Sequence, residues 1–154
     1  MKKLVVIAAL ALGGCGTNTV SPALTGLPGI TTQQSAGGYP VLSTVSFDRA
    51  DVHPDLTTAC LARGVNSPES APSSVGTSTQ VSGRAAHYRP STAMSYPFRY
   101  TLEVRGGHYE FSRIRYMFEG SEGGPIRATS PWSPENVYSA LEEVVDRVDS
   151  CRRG

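Results

Sequence analysis

Between positions 98 and 105, apolar and polar residues alternate strictly. Phe98, Tyr100, Leu102 and Val104 interleave with Arg99, Thr101, Glu103 and Arg105, the period of a strand with one buried face. Gly106-Gly107 follows and can take positive φ at both positions, which predicts a two-residue hairpin turn and a return strand from His108 to Phe118. That turn sets Arg105 opposite His108, Val104 opposite Tyr109, Glu103 opposite Glu110 and Leu102 opposite Phe111. The apolar pairs then share one face. Past Phe111 the phase changes, because Ile114, Tyr116 and Phe118 become the apolar set. One extra residue near Ser112-Arg113, a β-bulge, restores the core face.

A second period, near 3.6, runs through Val137, Leu141, Val144, Val148 and Cys151. It predicts a closing helix with one apolar stripe. Ser133 is placed as its N-cap, Pro134 as its first residue, and Arg152 and Arg153 suit its C-terminus. A shorter helix is predicted from Pro54, with Leu56, Ala59, Cys60 and Arg63 at helical spacing and Gly64 as its terminator. Val41 to Phe47 reads as a strand, with Val41, Val45 and Phe47 on one face and Leu42, Thr44 and Ser46 on the other. Gln80 to Tyr88 and Ile126 to Thr129 read as further strands. Residues 66–78 and 119–124 read as loops. The element order predicts an α+β domain, an antiparallel sheet of about four or five strands with two helices packed on one face.

The N-terminus follows different rules. Lys2 and Lys3 precede an apolar run from Leu4 to Leu12. As a helix that run would span roughly 14 Å, about half a bilayer core, which fits an export signal rather than a membrane span. Leu12-Gly13-Gly14-Cys15 resembles the lipobox of bacterial lipoproteins. The resemblance implies cleavage between Gly14 and Cys15 and lipidation of the Cys15 thiol. It also implies two or three acyl chains, enough for stable anchoring. Gly16, where an inner-membrane protein of this kind carries Asp, implies the outer membrane of the cell envelope, with the domain facing the periplasm. The alternative is an ordinary signal peptide with a chance cysteine. Residues 16–39 carry no charge and no sustained period. They read as a flexible tether with a reach of roughly 25–30 Å, a strand hidden at Gly29-Ile30-Thr31-Thr32 being the alternative. The expected organisation is thus a removed signal (1–14), a lipidated cysteine and tether (15–39), and a single α+β domain (40–154).

Charge and chemistry narrow the function. Both lysines lie in the signal, which leaves 12 arginines against 13 acids, a mature net charge of −1. No basic excess exists to drive nucleic-acid binding, and no lysine remains for Schiff-base chemistry. Of the three cysteines, Cys60 and Cys151 remain once Cys15 is assigned to lipid. Each lies on the apolar stripe of its own predicted helix, so a Cys60–Cys151 disulfide is expected in an oxidising compartment; two separate buried thiols are the alternative. His53, His87 and His108 lack metal-ligand spacing, no serine lies in G-x-S-x-G, and no glycine run precedes a P-loop lysine. No catalytic residue, cofactor or metal is therefore expected. Arg99, Glu103, Arg105 and Glu110 alternate onto the face opposite the core and form the candidate partner surface.

The hairpin also resembles a family of exported bacterial domains with a TBP-like fold and no assigned activity. That family's run is of the type Y-T-L-x-I-x-V-K-D-G-R-Y-R-Y-x-I-x-x-I, beside Tyr100-Thr101-Leu102-Glu103-Val104-Arg105-Gly106-Gly107-His108-Tyr109-Glu110-Phe111-Ser112-Arg113-Ile114 here. Gly106 and His108 depart from the usual Asp and Arg, and the family's first-helix tryptophan is missing. The resemblance implies a curved antiparallel sheet backed by helices. The expected function is a non-enzymatic, outer-membrane-anchored binding module with an envelope protein as partner; the alternative is a small envelope enzyme or ligand carrier.

Overall fold

The structure, a computed structural model, describes residues 18–50 and 53–154. In it the predicted hairpin becomes the middle of a seven-stranded antiparallel sheet. The strands are β1 (Ile30–Gln34), β2 (Pro40–Asp48), β3 (Ser73–Val75), β4 (Ser78–Arg89), β5 (Met94–Arg105), β6 (His108–Phe118) and β7 (Ser121–Pro125). Their spatial order is β1-β2-β6-β5-β4-β3, with β7 also paired to β6. The helices are α1 (Thr57–Gly64) and α2 (Pro134–Arg153). The class is α+β, and the sheet is larger than the four or five strands expected.

The β5–β6 register follows from the turn as reasoned. Arg105 pairs with His108, Glu103 with Glu110 and Leu102 with Phe111. The register then slips, so that Thr101 faces Ser112 but Arg99 faces Arg115, and Arg113 takes φ 52° at the bulge. The slip returns Ile114 and Tyr116 to the core, while Phe118 beyond them stays 54% exposed. On the covered face, α2 buries Val137, Leu141, Val144 and Val148 against Phe98, Leu102, Tyr109 and Phe111. Cys60 and Leu61 of α1 join the same cluster, and Cys60 is disulfide-bonded to Cys151 of α2.

Several expectations are corrected. The uncharged stretch 16–39 is not a tether throughout. Ser21 accepts from the backbone N–H of Ala23 and starts a short 3-10 turn, Pro22–Leu24, that buries Leu24. Ile30–Gln34 then adds to β2 as an edge strand. Its polar Thr and Gln side chains leave no apolar period, because an edge strand with both faces wet needs none. The same pairing slips between Thr31 and Thr32, which puts Leu42 rather than Val41 in the core cluster with Val45 and Phe47. Leu56 lies outside α1 in a 3-10 turn and is 37% exposed, so Leu61 replaces it as an anchor. Most of Glu119–Gly124, a loop by its turn residues, is taken up by β7. Ile126–Thr129 keeps one bridge, Val41 to Arg127, instead of forming a strand. Ser133 precedes α2 with φ 49°, and its side chain caps nothing. Residues 66–78 contain β3, and their first part lies along the free edge of β4. The N–H of Glu69 donates to the carbonyl of Ser82 at 2.9 Å, and that of Arg84 to the carbonyl of Asn66 at 3.3 Å.

Candidate functional site

On the open face, pairing across β4, β5 and β6 sets Arg84, Arg99 and Arg115 side by side. Three like charges in a row repel, and two acids from outside the row intervene. Glu69 accepts from Arg84 Nε at 3.0 Å and from Arg99. Glu122 of β7 meets Arg99 Nη1 and Arg115 Nε, each at 2.8 Å. The result is a ladder of alternating guanidinium and carboxylate groups. Its side chains keep a third or so of their surface in water, so each pair is worth at most about 1 kcal/mol. The ladder therefore contributes little to stability.

The four residues of the predicted partner surface all face outward, but they do not meet. Arg99 belongs to the ladder. Glu103, Arg105 and Glu110 gather with His108 around a shallow hollow of about 210 Å³ at the Gly106-Gly107 end. There Arg105 Nη2 donates to Glu103 Oε1 at 3.0 Å, and His108 Nδ1 lies 2.7 Å from Asp48 Oδ1. A neutral row, Ser82, Thr101 and Ser112, separates the two groups. The predicted cleavage and lipidation residues, Gly14 and Cys15, lie outside the described residues.

The opposite end of the sheet holds a cluster that the periodicities missed. Tyr96, Arg89, Trp132, Arg127 and Tyr39 alternate ring and cation. Arg89 lies 4.7 Å from the Tyr96 ring centre and 4.1 Å from that of Trp132. Arg127 lies 5.1 Å from the Trp132 ring and 3.9 Å from the Tyr39 ring. No family model matches this chain, and no curated protein or solved structure matches it. Tyr39, Tyr116, Phe118, Arg127 and Trp132 line a cleft of about 170 Å³. Beneath it His87 is 2% exposed and ringed by Tyr96, Phe98 and Tyr116 at about 6 Å between centroids. Among the described residues, neither His87 nitrogen has a hydrogen-bond partner. Burial, and then the nearby Arg89 charge, lowers its pKa to about 4. The Tyr116 hydroxyl also lacks a partner among the described residues, and burial pushes its pKa up to about 12. His87 is held neutral among rings.

The stack comes from three separate stretches, Tyr39, the β4–β5 hairpin and residues 127–132, so no local period could reveal it. The available signal was Trp132 itself, the one tryptophan of the chain, set between Pro131 and Ser133 at the entry to α2. Among the described residues, no group of three or more His, Cys, Asp or Glu could hold a metal ion, and no helix is long and apolar enough to cross a membrane.

Proposed function

We propose that this protein is a lipid-anchored, non-enzymatic interaction module of the bacterial cell envelope, held through Cys15 in the outer membrane and facing the periplasm. The observation that carries the binding role is the open sheet face. It presents a charge-mixed array, Glu69–Arg84 and Arg99–Glu122–Arg115, suited to a complementary protein surface. Arg99 is central, because it contacts both acids. Support for the address is the Leu12-Gly13-Gly14-Cys15 motif, together with the Cys60–Cys151 disulfide, a bond typical of oxidising compartments. The resemblance to exported TBP-like domains fits a sheet with both helices on one face. It brings no activity with it.

The test is crosslinked recovery of the lipidated protein from envelopes. Arg99→Ala combined with Arg105→Ala is expected to remove a specific partner. An unchanged set of recovered proteins refutes the sheet-face reading. One observation favours a ligand carrier instead, the cleft above His87 and Tyr116. Native mass spectrometry of envelope-purified protein separates the two readings, since a carrier retains a bound small molecule.

A further inference from the structure

The sheet end that carries Trp132 is the end nearest the proposed anchor. Only residues 16–20 separate Cys15 from Ser21, a stretch that spans at most roughly 22 Å. Ser21 is 2% exposed and fixed in place. Its N–H donates to the Ala128 carbonyl at 2.7 Å, and Ser130 Oγ donates to its hydroxyl at 3.3 Å. Ser130 begins the turn that presents Trp132. The β4–β5 turn is tied to the same place, since Arg89 Nη2 and Ser91 Oγ both donate to the Pro131 carbonyl.

The chemistry of this end suits a lipid surface. Val20, Tyr88, Met94 and Phe118, four of the six exposed large hydrophobic residues among the described residues, lie at this end. Trp and Tyr rings favour the headgroup level of a bilayer, where an apolar body and a polar tip are both satisfied. Arg84, Arg99 and Arg115 of the ladder have carboxylate partners. Arg89 and Arg127 have none among the described residues, and stack on rings through their faces. Arg89 gives Nη2 to Pro131 and buries Nε, so the in-plane N–H groups left for phosphate oxygens are those of its Nη1 and of Arg127. Glu119 is exposed at this end too, so the attraction arises from oriented donors and rings more than from net charge. A weak contact suffices, because a short tether holds the face at millimolar effective concentration.

We infer that the Tyr39–Arg127–Trp132–Arg89–Tyr96 face rests on the phospholipid headgroups of the membrane that holds the Cys15 anchor. The inference depends on the lipoprotein reading, and the two fail separately. The lipidated full chain is reconstituted in vesicles of equal parts phosphatidylethanolamine and phosphatidylglycerol, with plain or chain-brominated lipid. Trp132, the sole tryptophan, reports its own depth. Bromolipid is expected to quench it. Arg89→Gln with Arg127→Gln is expected to weaken the docking equilibrium by roughly fivefold per arginine, and Arg105→Gln at the far end to leave quenching unchanged. Equal emission in plain and brominated vesicles, with the Cys15 acyl mass present, overturns the docking inference alone. A membrane-extracted chain without acyl mass on Cys15 overturns the lipoprotein reading and this inference with it. Loss of quenching in Arg105→Gln equal to that in the double variant overturns the assignment of the face.

Discussion

Replacing Cys60 and Cys151 by alanine together tests how the two helices are held. The bond closes a separation of 91 residues, from the middle of α1 to the last turn of α2. Loop-closure entropy for a ring of that size gives a stabilisation of about 4.6 kcal/mol, an upper figure because the reduced unfolded chain retains some structure. Cys60 is 2% exposed, and an alanine there loses little packing. The expected loss is therefore about 2 to 4.6 kcal/mol, against a typical total of about 5–15 kcal/mol for a domain. Urea unfolding at neutral pH measures it. The midpoint falls, and the slope rises because the unlinked chain exposes more surface. The loss also has a location. An eight-residue helix such as α1 is marginal alone, so amide protection over 57–64 falls first, while the β5–β6 core keeps its protection. Equal midpoint and slope in the two proteins refute the reasoning. So does a mass after alkylation that does not depend on reductant, which leaves the thiols unbridged.

Other outcomes follow from single sites. Gly83→Ala sets a Cβ 2.4 Å from Val65 Cγ1 and 3.0 Å from the Tyr100 hydroxyl; it should destabilise by about 1–3 kcal/mol in a thermal melt, whereas Gly124→Ala, with nothing within 4 Å, should be nearly neutral. Leu141→Ala, at 0% exposure in the centre of α2, should cost about 2–5 kcal/mol by urea titration. His87 has a folded pKa near 4 against 6.5 in the unfolded chain. Its neutral form is favoured by folding, so the contribution is complete above pH 6.5 and declines as pH falls towards 4. The loss is at most about 3 kcal/mol, and His87→Leu should flatten that part of the stability–pH curve. Arg99→Ala should lower stability by less than about 1 kcal/mol at low salt, because Glu69 keeps Arg84 and Glu122 keeps Arg115. A larger loss would show the ladder to be structural.

Sequence periodicity reads the parts whose two faces differ most. Phe98 to Val104 meets a buried face and a wet one, and α2 meets one core stripe, so the register, the bulge and the helix stripe were legible, while the exposed place of Phe118 and the uncapped start of α2 at Ser133 were not. The reading weakens where faces do not differ. Ile30–Gln34 is polar on both sides, and Ser121–Pro125 contains two glycines; both pair through their backbones, which sequence does not display. The ladder was half visible. Alternation puts Arg99 and Arg115 outward, but Glu69 arrives from a loop 30 residues away, and no periodicity encodes that approach. The Trp132 stack was invisible for the same reason, being assembled from segments that the fold alone brings together.

The segment that borders β4 has a consequence beyond charge. β3 covers only the first residues of a twelve-residue strand, and the remainder would be an open row of donors and acceptors. Asn66 and Glu69 take up two of those positions with their own backbone, and Glu69 holds the segment in place through Arg84 and Arg99. The serine- and proline-rich stretch thus acts as a hem on the sheet, ending the ladder before another copy can extend it. Shortening it should leave the monomer folded yet prone to self-assembly, and solubility at high concentration would report that failure before any melting temperature did.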